Sequence, residues 1–167
     1  AVMRCGCRPL FVDVEPENWT MDYDLLEDDL ASVGGVVVPT VFGVQPDERF
    51  SSLEVPVILD NAEGFGNRRE MYGSLDIYSF HATKVVSAGE GGGVACGSEG
   101  EAEWLSQWRD FGFDGTSDAA MIGTNAKMSE FHAILGLLSY AGFRWQMQQR
   151  QELMAIYHER LADVATF

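Results

Sequence analysis

"SFHATKVVSAGEGGG" (Ser79–Gly93) sets one lysine, Lys84, just past an apolar strand-like run and just before a cluster of glycines. A solvated surface lysine needs no such setting. A lysine amine that is drawn out of water, or placed near other cations, becomes a nucleophile able to form a Schiff base. The glycines at 89 and 91–93 permit close backbone approach; they suit an ordinary hairpin turn equally well. Either way, the stretch reads as a strand ending at "DIYSF" (Asp76–Phe80), a loop that carries Lys84, and a new strand at "GGVACG" (Gly92–Gly97).

Working outward, "PLFVDV" (Pro9–Val14), "GGVVVPTVFG" (Gly34–Gly43) and "VPVILDNA" (Val55–Ala62) are further short β-branched runs. They do not alternate apolar with polar, so they predict strands buried on both faces in a parallel or mixed sheet between helices. Helical spacing recurs in Met21–Val33, with Met21, Leu25, Leu26 and Leu30 on one face, and in Glu99–Gly112, Lys127–Ala141 and Phe143–Val164. Gly142 predicts a break between the last two. The expected fold class is α/β: a mixed, mostly parallel sheet flanked by helices, in one domain with the sheet over 1–98 and a helical portion over 99–167.

A hydrophobic fraction of 46% marks a folded chain, while 26 acidic against 11 basic residues leave a net charge of −15. So acidic a surface argues against nucleic acid and anionic membranes as partners. A small anionic ligand is still admissible where backbone N–H groups receive it. Cys5, Cys7 and Cys96 lack the spacing of a zinc site and read as reduced thiols, with no metal expected. With no signal peptide and no membrane-spanning run, a cytoplasmic location is expected.

In sheets of this kind ligands bind at the carboxyl ends of the strands, and Asp60, Ser79 and His81 fall at or just past such ends. Asp60 reads either as a cap on the next turn or as a carboxylate held inside to pair with a cation such as a protonated pyridine nitrogen. Ala62 offers a small, flat surface for an aromatic ring, and the Ser79 hydroxyl suits a phosphate oxygen. No one of these residues decides the reading; their order does. An Asp, a Ser, a Lys and then a glycine turn is the arrangement of a pyridoxal-phosphate site on an α/β sheet. The run "GEGGG" lacks the GxGxxG spacing of a dinucleotide fold.

"ILDNAEGFG" (Ile58–Gly66), "SFHATKVVSAGEGGGVA" (Ser79–Ala95), "RDFGFDG" (Arg109–Gly115) and "GTNAKMSEFHAILGL" (Gly123–Leu137), in that order, resemble the DegT/DnrJ/EryC1/StrS family of sugar aminotransferases, as does "RPLFVDVEPENWTMD" (Arg8–Asp22) upstream. The resemblance implies the large domain of the aspartate-aminotransferase-like, fold type I pyridoxal-phosphate transferases. It implies Lys84 as the Schiff-base lysine and proton shuttle, Asp60 on the pyridine nitrogen, Ala62 against the ring and Ser79 on the phosphate. Glu63 stands at the cofactor edge where many members have Gln. Asn125, with Lys127 the other candidate, implies a contact to the phosphate of a partner subunit, and His81 a place in the sugar pocket or a packed strand end. Nucleotide-sugar and amino-acid substrates and a homodimer or higher oligomer follow from the same resemblance. Family members are much longer than this chain, so it reads as the central portion of the large domain, without the phosphate-cup segment before it and the small domain after it. Two functions stay open: a sugar aminotransferase, or a non-catalytic remnant that keeps the fold and acts as a binding or oligomerising module.

Overall fold

The computed structural model describes residues 1–67, 70–116 and 118–164. It divides into two compact units, Ala1–Ser79 with Gly93–Ala126 and Phe80–Gly92 with Lys127–Phe167.

The first unit is built on a four-stranded sheet in the order β1-β2-β3-β4, with β1 at Val36–Pro39, β2 at Val57–Asp60, β3 at Leu75–Ser79 and β4 at Gly92–Cys96. β1, β2 and β3 are parallel, with Pro39 opposite Asp60 and Asp60 opposite Ile77. The Gly97 N–H donates to the Ser74 carbonyl at 3.0 Å, joining the end of β4 to the start of β3, so that pair runs antiparallel. The sheet is therefore mixed and mostly parallel, as the apolar runs predict. Asp76, fully buried in β3, takes the Tyr72 and Gly73 N–H groups at 3.0 and 2.9 Å, which offsets the cost of burying a carboxylate.

Burial departs from the expectation in one respect. Val36, Val38, Val57 and Leu59 are enclosed with Leu26, Phe50 and Tyr72 in one core, but Val37 and Ile77 on the other face are 44% and 38% exposed. The strands are apolar on both faces, yet among the described residues only one face is fully packed.

Pro9–Val14 is not a strand. Its one ladder contact is a bridge from Val14 to Met21, and its neighbours close a local loop through Asp22 N–H to Asp13 and Glu15 N–H to Thr20. The backbone there is satisfied within the loop instead of by the sheet. The helix expected over Met21–Val33 shortens to α1, Tyr23–Glu27, capped by the Asp22 carboxylate, with a separate 3-10 turn at Leu30–Ser32. Glu27, Asp28 and Asp29 crowd the end of α1, where the helix dipole opposes negative charge. Leu26 enters the core and Leu25 faces water.

α2, Glu99–Arg109, starts in a capping box between Ser98 and Glu101. In the second unit, α3 is Glu130–Ala141 and α4 is Phe143–Leu161. Gly142 closes α3 and opens α4, which is the break expected there. No helix among the described residues is long and apolar enough to cross a membrane.

Candidate active site

Because β1, β2 and β3 are parallel, their carboxyl ends share one edge of the sheet, and Asp60 and Ser79 are the last residues of β2 and β3. Side chains alternate along a strand. Asp60 is paired with Ile77, and Ser79 lies two residues beyond Ile77. Asp60, Ile77 and Ser79 therefore stand on the same face, the open one that also carries Val37 and Ile58. Two of the residues singled out in the sequence thus meet at one corner of the sheet.

The Asp60 carboxylate is exposed, not enclosed as the interior reading has it. It accepts the Ala62 N–H at 3.3 Å and pairs with no cation among the described residues. Its main chain is held firmly: the Asp60 carbonyl receives the Thr40 N–H at 3.0 Å and the Thr40 hydroxyl at 3.2 Å. Ala62 is half-buried beside it. Glu63 is exposed and turns back, its Oε2 accepting the Phe42 N–H at 2.8 Å. Asn125 belongs to the same unit, in the segment after α2, where its backbone bridges to Asp110 and its neighbours Thr124 and Ala126 donate to the carbonyls of Trp108 and Arg109.

His81 and Lys84 belong to the second unit. Lys84 is half-buried and its N–H donates to the His81 carbonyl at 2.9 Å, closing a turn. His81 is exposed; its Nδ1 lies 3.0 Å from the Thr83 hydroxyl and its Nε2 3.9 Å from Glu90. Lys127 is exposed at the approach to α3.

Two features escape the sequence reading. Thr40 and Asn61 form a buried pair next to Asp60, the hydroxyl 3.0 Å from Asn61 Oδ1, and Asn61 Nδ2 is buried without a partner among the described residues. Phe42 and Trp19 both adopt left-handed backbone, at φ 53° and 62°, with their rings 5.9 Å apart. Bulky residues rarely take that conformation, and nothing in "PTVFG" or "ENWT" announces it.

A family model described as the DegT/DnrJ/EryC1/StrS aminotransferase family matches residues 1–167. The chain belongs to this family. Among its relatives, Protein Rv3402c of Mycobacterium tuberculosis (strain ATCC 25618 / H37Rv) is 30% identical, over 98% of this chain and 43% of that protein. The dTDP-4-amino-4,6-dideoxy-D-glucose transaminase of Shigella dysenteriae is 29% identical, over 95% of this chain and 46% of that protein. Among solved structures, a putative PLP-dependent aminotransferase from Bacillus cereus ATCC 10987 superposes with a TM-score of 0.87 at 30% identity, over 96% of this chain and 48% of that one. The DegT/DnrJ/EryC1/StrS chain described here thus spans about half the length of the relatives it matches, and it is related to nucleotide-sugar aminotransferases.

The family implies pyridoxal phosphate, and the residues at the sheet edge fit it. That edge carries the Asp60 carboxylate, which meets no cation among the described residues, the small Ala62 just beyond it and the Ser79 hydroxyl, groups whose chemistry admits a protonated ring and a phosphate.

Proposed function

We propose that this chain carries central cofactor-binding elements of a pyridoxal-phosphate-dependent nucleotide-sugar aminotransferase. The observation that supports this most is the corner formed by Asp60 and Ser79, on one face at the carboxyl edge of two adjacent parallel strands, with the Asp60 carboxylate open to a cation. When bound, pyridoxal phosphate supplies an electron sink that stabilises negative charge on a substrate carbon. Asp60 keeps a proton on the ring nitrogen, Ala62 packs against the ring, and Ser79 donates to a phosphate oxygen. Glu63 sets the cofactor edge. Lys84 would hold the cofactor through its amine, and once the amine of an amino-acid substrate had displaced it, the freed Nζ would be the group that takes and returns the proton. His81 lines the sugar side.

The test uses the sparse lysine content: Lys84 and Lys127 are the only two in the chain. Incubation with pyridoxal phosphate, borohydride reduction and peptide mass mapping are expected to give stoichiometric modification of Lys84 with little of Lys127. Equal, weak modification of both lysines would sink the proposal. That outcome would support a second reading, a fold that binds or oligomerises without turnover, which the exposure of Asp60 favours.

The same reading includes a homodimer, with Asn125 reaching the phosphate in the partner's site. α3 supports it by leaving Phe131 82%, Leu137 70% and Leu138 67% exposed, apolar side chains of the kind that an interface covers. Sedimentation equilibrium is expected to give twice the chain mass of 18.4 kDa; a monomer across the micromolar range removes the dimer from the proposal.

A further inference from the structure

The loop that bears Lys84 is closed at its base and seated on a helix. At the base, the Phe80 N–H donates to Gly91 at 2.9 Å, the Ala88 N–H donates to Phe80 at 2.8 Å, and His81 bridges to Gly89. These bonds tie both ends of the loop. The seat is α3. Ala88 is fully buried, and a Cβ built on Gly136 of α3 would come within 3.3 Å of the Ala88 Cβ. One turn further along α3, the Ser139 hydroxyl accepts the Ser87 N–H at 3.0 Å.

Both α3 residues are poor choices for a helix interior on local grounds. A mid-helix glycine costs about 1 kcal/mol relative to alanine, and a serine competes with the helix for its own backbone. Residues three apart lie on one helix face, so Gly136 and Ser139 form a single docking point. The glycine lets the loop come close, and the hydroxyl fixes its register through a main-chain N–H that has no helical or strand partner. Residues 87 and 88 follow Lys84 by three and four positions, a short reach for transmitting a shift.

We propose that Gly136 and Ser139 are positioning residues for Lys84: they set the height and orientation at which the loop presents its amine. The proposal rests on the cofactor reading above for its consequence, though not for its geometry. The exposed Lys127 of the same chain serves as an internal reference.

The experiment compares the wild-type chain with Ser139→Ala, Ser139→Thr, Gly136→Ala and Gly136→Leu. Each is folded as judged by far-ultraviolet circular dichroism, then trapped with pyridoxal phosphate and borohydride. The Lys84-to-Lys127 modification ratio is expected to fall about tenfold in Ser139→Ala and by more, up to about 100-fold, in Gly136→Leu, as a small misplacement of a reacting group does. Gly136→Ala should lie between wild type and Gly136→Leu, and Ser139→Thr, which keeps the hydroxyl, should restore the ratio. A purely structural role would lower the melting temperature of Ser139→Ala and leave the ratio alone, and that result overturns the proposal. Should Gly136→Leu fail to fold, the Ser139 pair decides by itself. If the wild-type chain takes up no pyridoxal phosphate at Lys84, the cofactor reading has failed separately. Trace acetylation with acetic anhydride then reads the same Lys84-to-Lys127 ratio without the cofactor. A ratio that shifts in Ser139→Ala and returns in Ser139→Thr supports positioning, and a constant ratio overturns it.

Discussion

Phe50→Ala is expected to lower the unfolding free energy by about 3–5 kcal/mol, the usual cost of emptying an aromatic site in a packed core. Phe50 is fully buried, and it reaches the core from the 3-10 turn at Glu48–Ser52, so a short irregular segment supplies one of the largest enclosed side chains. It packs with Val38 and Leu59, which come from the two adjacent parallel strands, and its ring meets Tyr23 edge-on at 5.0 Å. Losing that pairing adds to the loss of buried area. Tyr23 is also covered by Arg49, whose guanidinium lies 4.2 Å from the ring centre and binds Asp24 and Asp47. Hydrogen bonds from the Arg49 side chain and backbone hold the Asp47 carboxyl below its ordinary value. A depressed carboxyl stabilises the fold above the ordinary carboxylate range and loses that contribution as pH falls through its folded value; the exposure of the pair keeps the effect small. The core term is another matter, since domains of this kind have only about 5–15 kcal/mol in total. Urea denaturation at neutral pH measures it, with Phe11→Ala as the control, because Phe11 is 89% exposed and surface substitutions stay within about 0.5 kcal/mol. A Phe50→Ala loss below about 1 kcal/mol would mean that the core is not assembled around this ring.

What was legible in the sequence follows from what local chemistry can encode. β1 and β2 were readable because Val and Ile runs between glycines and prolines have few alternatives, and once three strands are parallel, Asp60 and Ser79 must share an edge. The break at Gly142 was readable for the same kind of reason. Pro9–Val14 misled because a β-branched run can satisfy its backbone in a loop, and the loop is tied by Glu15, Thr20 and Asp22, residues outside the run. The degree of burial was not readable: the same apolar strand has Val38 enclosed and Val37 open, and only the arrangement of other elements settles which face is covered. The supports of the candidate site were hidden for a related reason. Thr40 acts on Asp60, Phe42 on Glu63 and Ser139 on Ser87 across separations of 20, 21 and 52 residues, distances at which composition and spacing carry no information.

Asp60→Ala is expected to weaken pyridoxal-phosphate binding by roughly 10- to 100-fold, the equivalent of about 1.5–3 kcal/mol for a hydrogen bond to a charged group. The smaller end of the range for charge pairs is appropriate because Asp60 is exposed in this chain, where water screens the pair. Loss of affinity by itself does not separate a ring-nitrogen partner from a residue that merely shapes the strand end, since the Asp60 carboxylate also receives the Ala62 N–H. The ring nitrogen can be removed instead. A 1-deaza analogue of pyridoxal phosphate replaces that nitrogen with C–H and leaves the phosphate and aldehyde in place. The wild-type chain should bind pyridoxal phosphate more tightly than the analogue by the same 10- to 100-fold, and Asp60→Ala should bind the two alike. Asp60→Asn should resemble alanine in this comparison, because a neutral amide keeps a hydrogen-bonding group there but gives a ring cation no counter-charge. A preference for pyridoxal phosphate that survives in Asp60→Ala would show that the proton on the ring nitrogen is held by another group, and that the open carboxylate at the end of β2 serves the turn into Ala62.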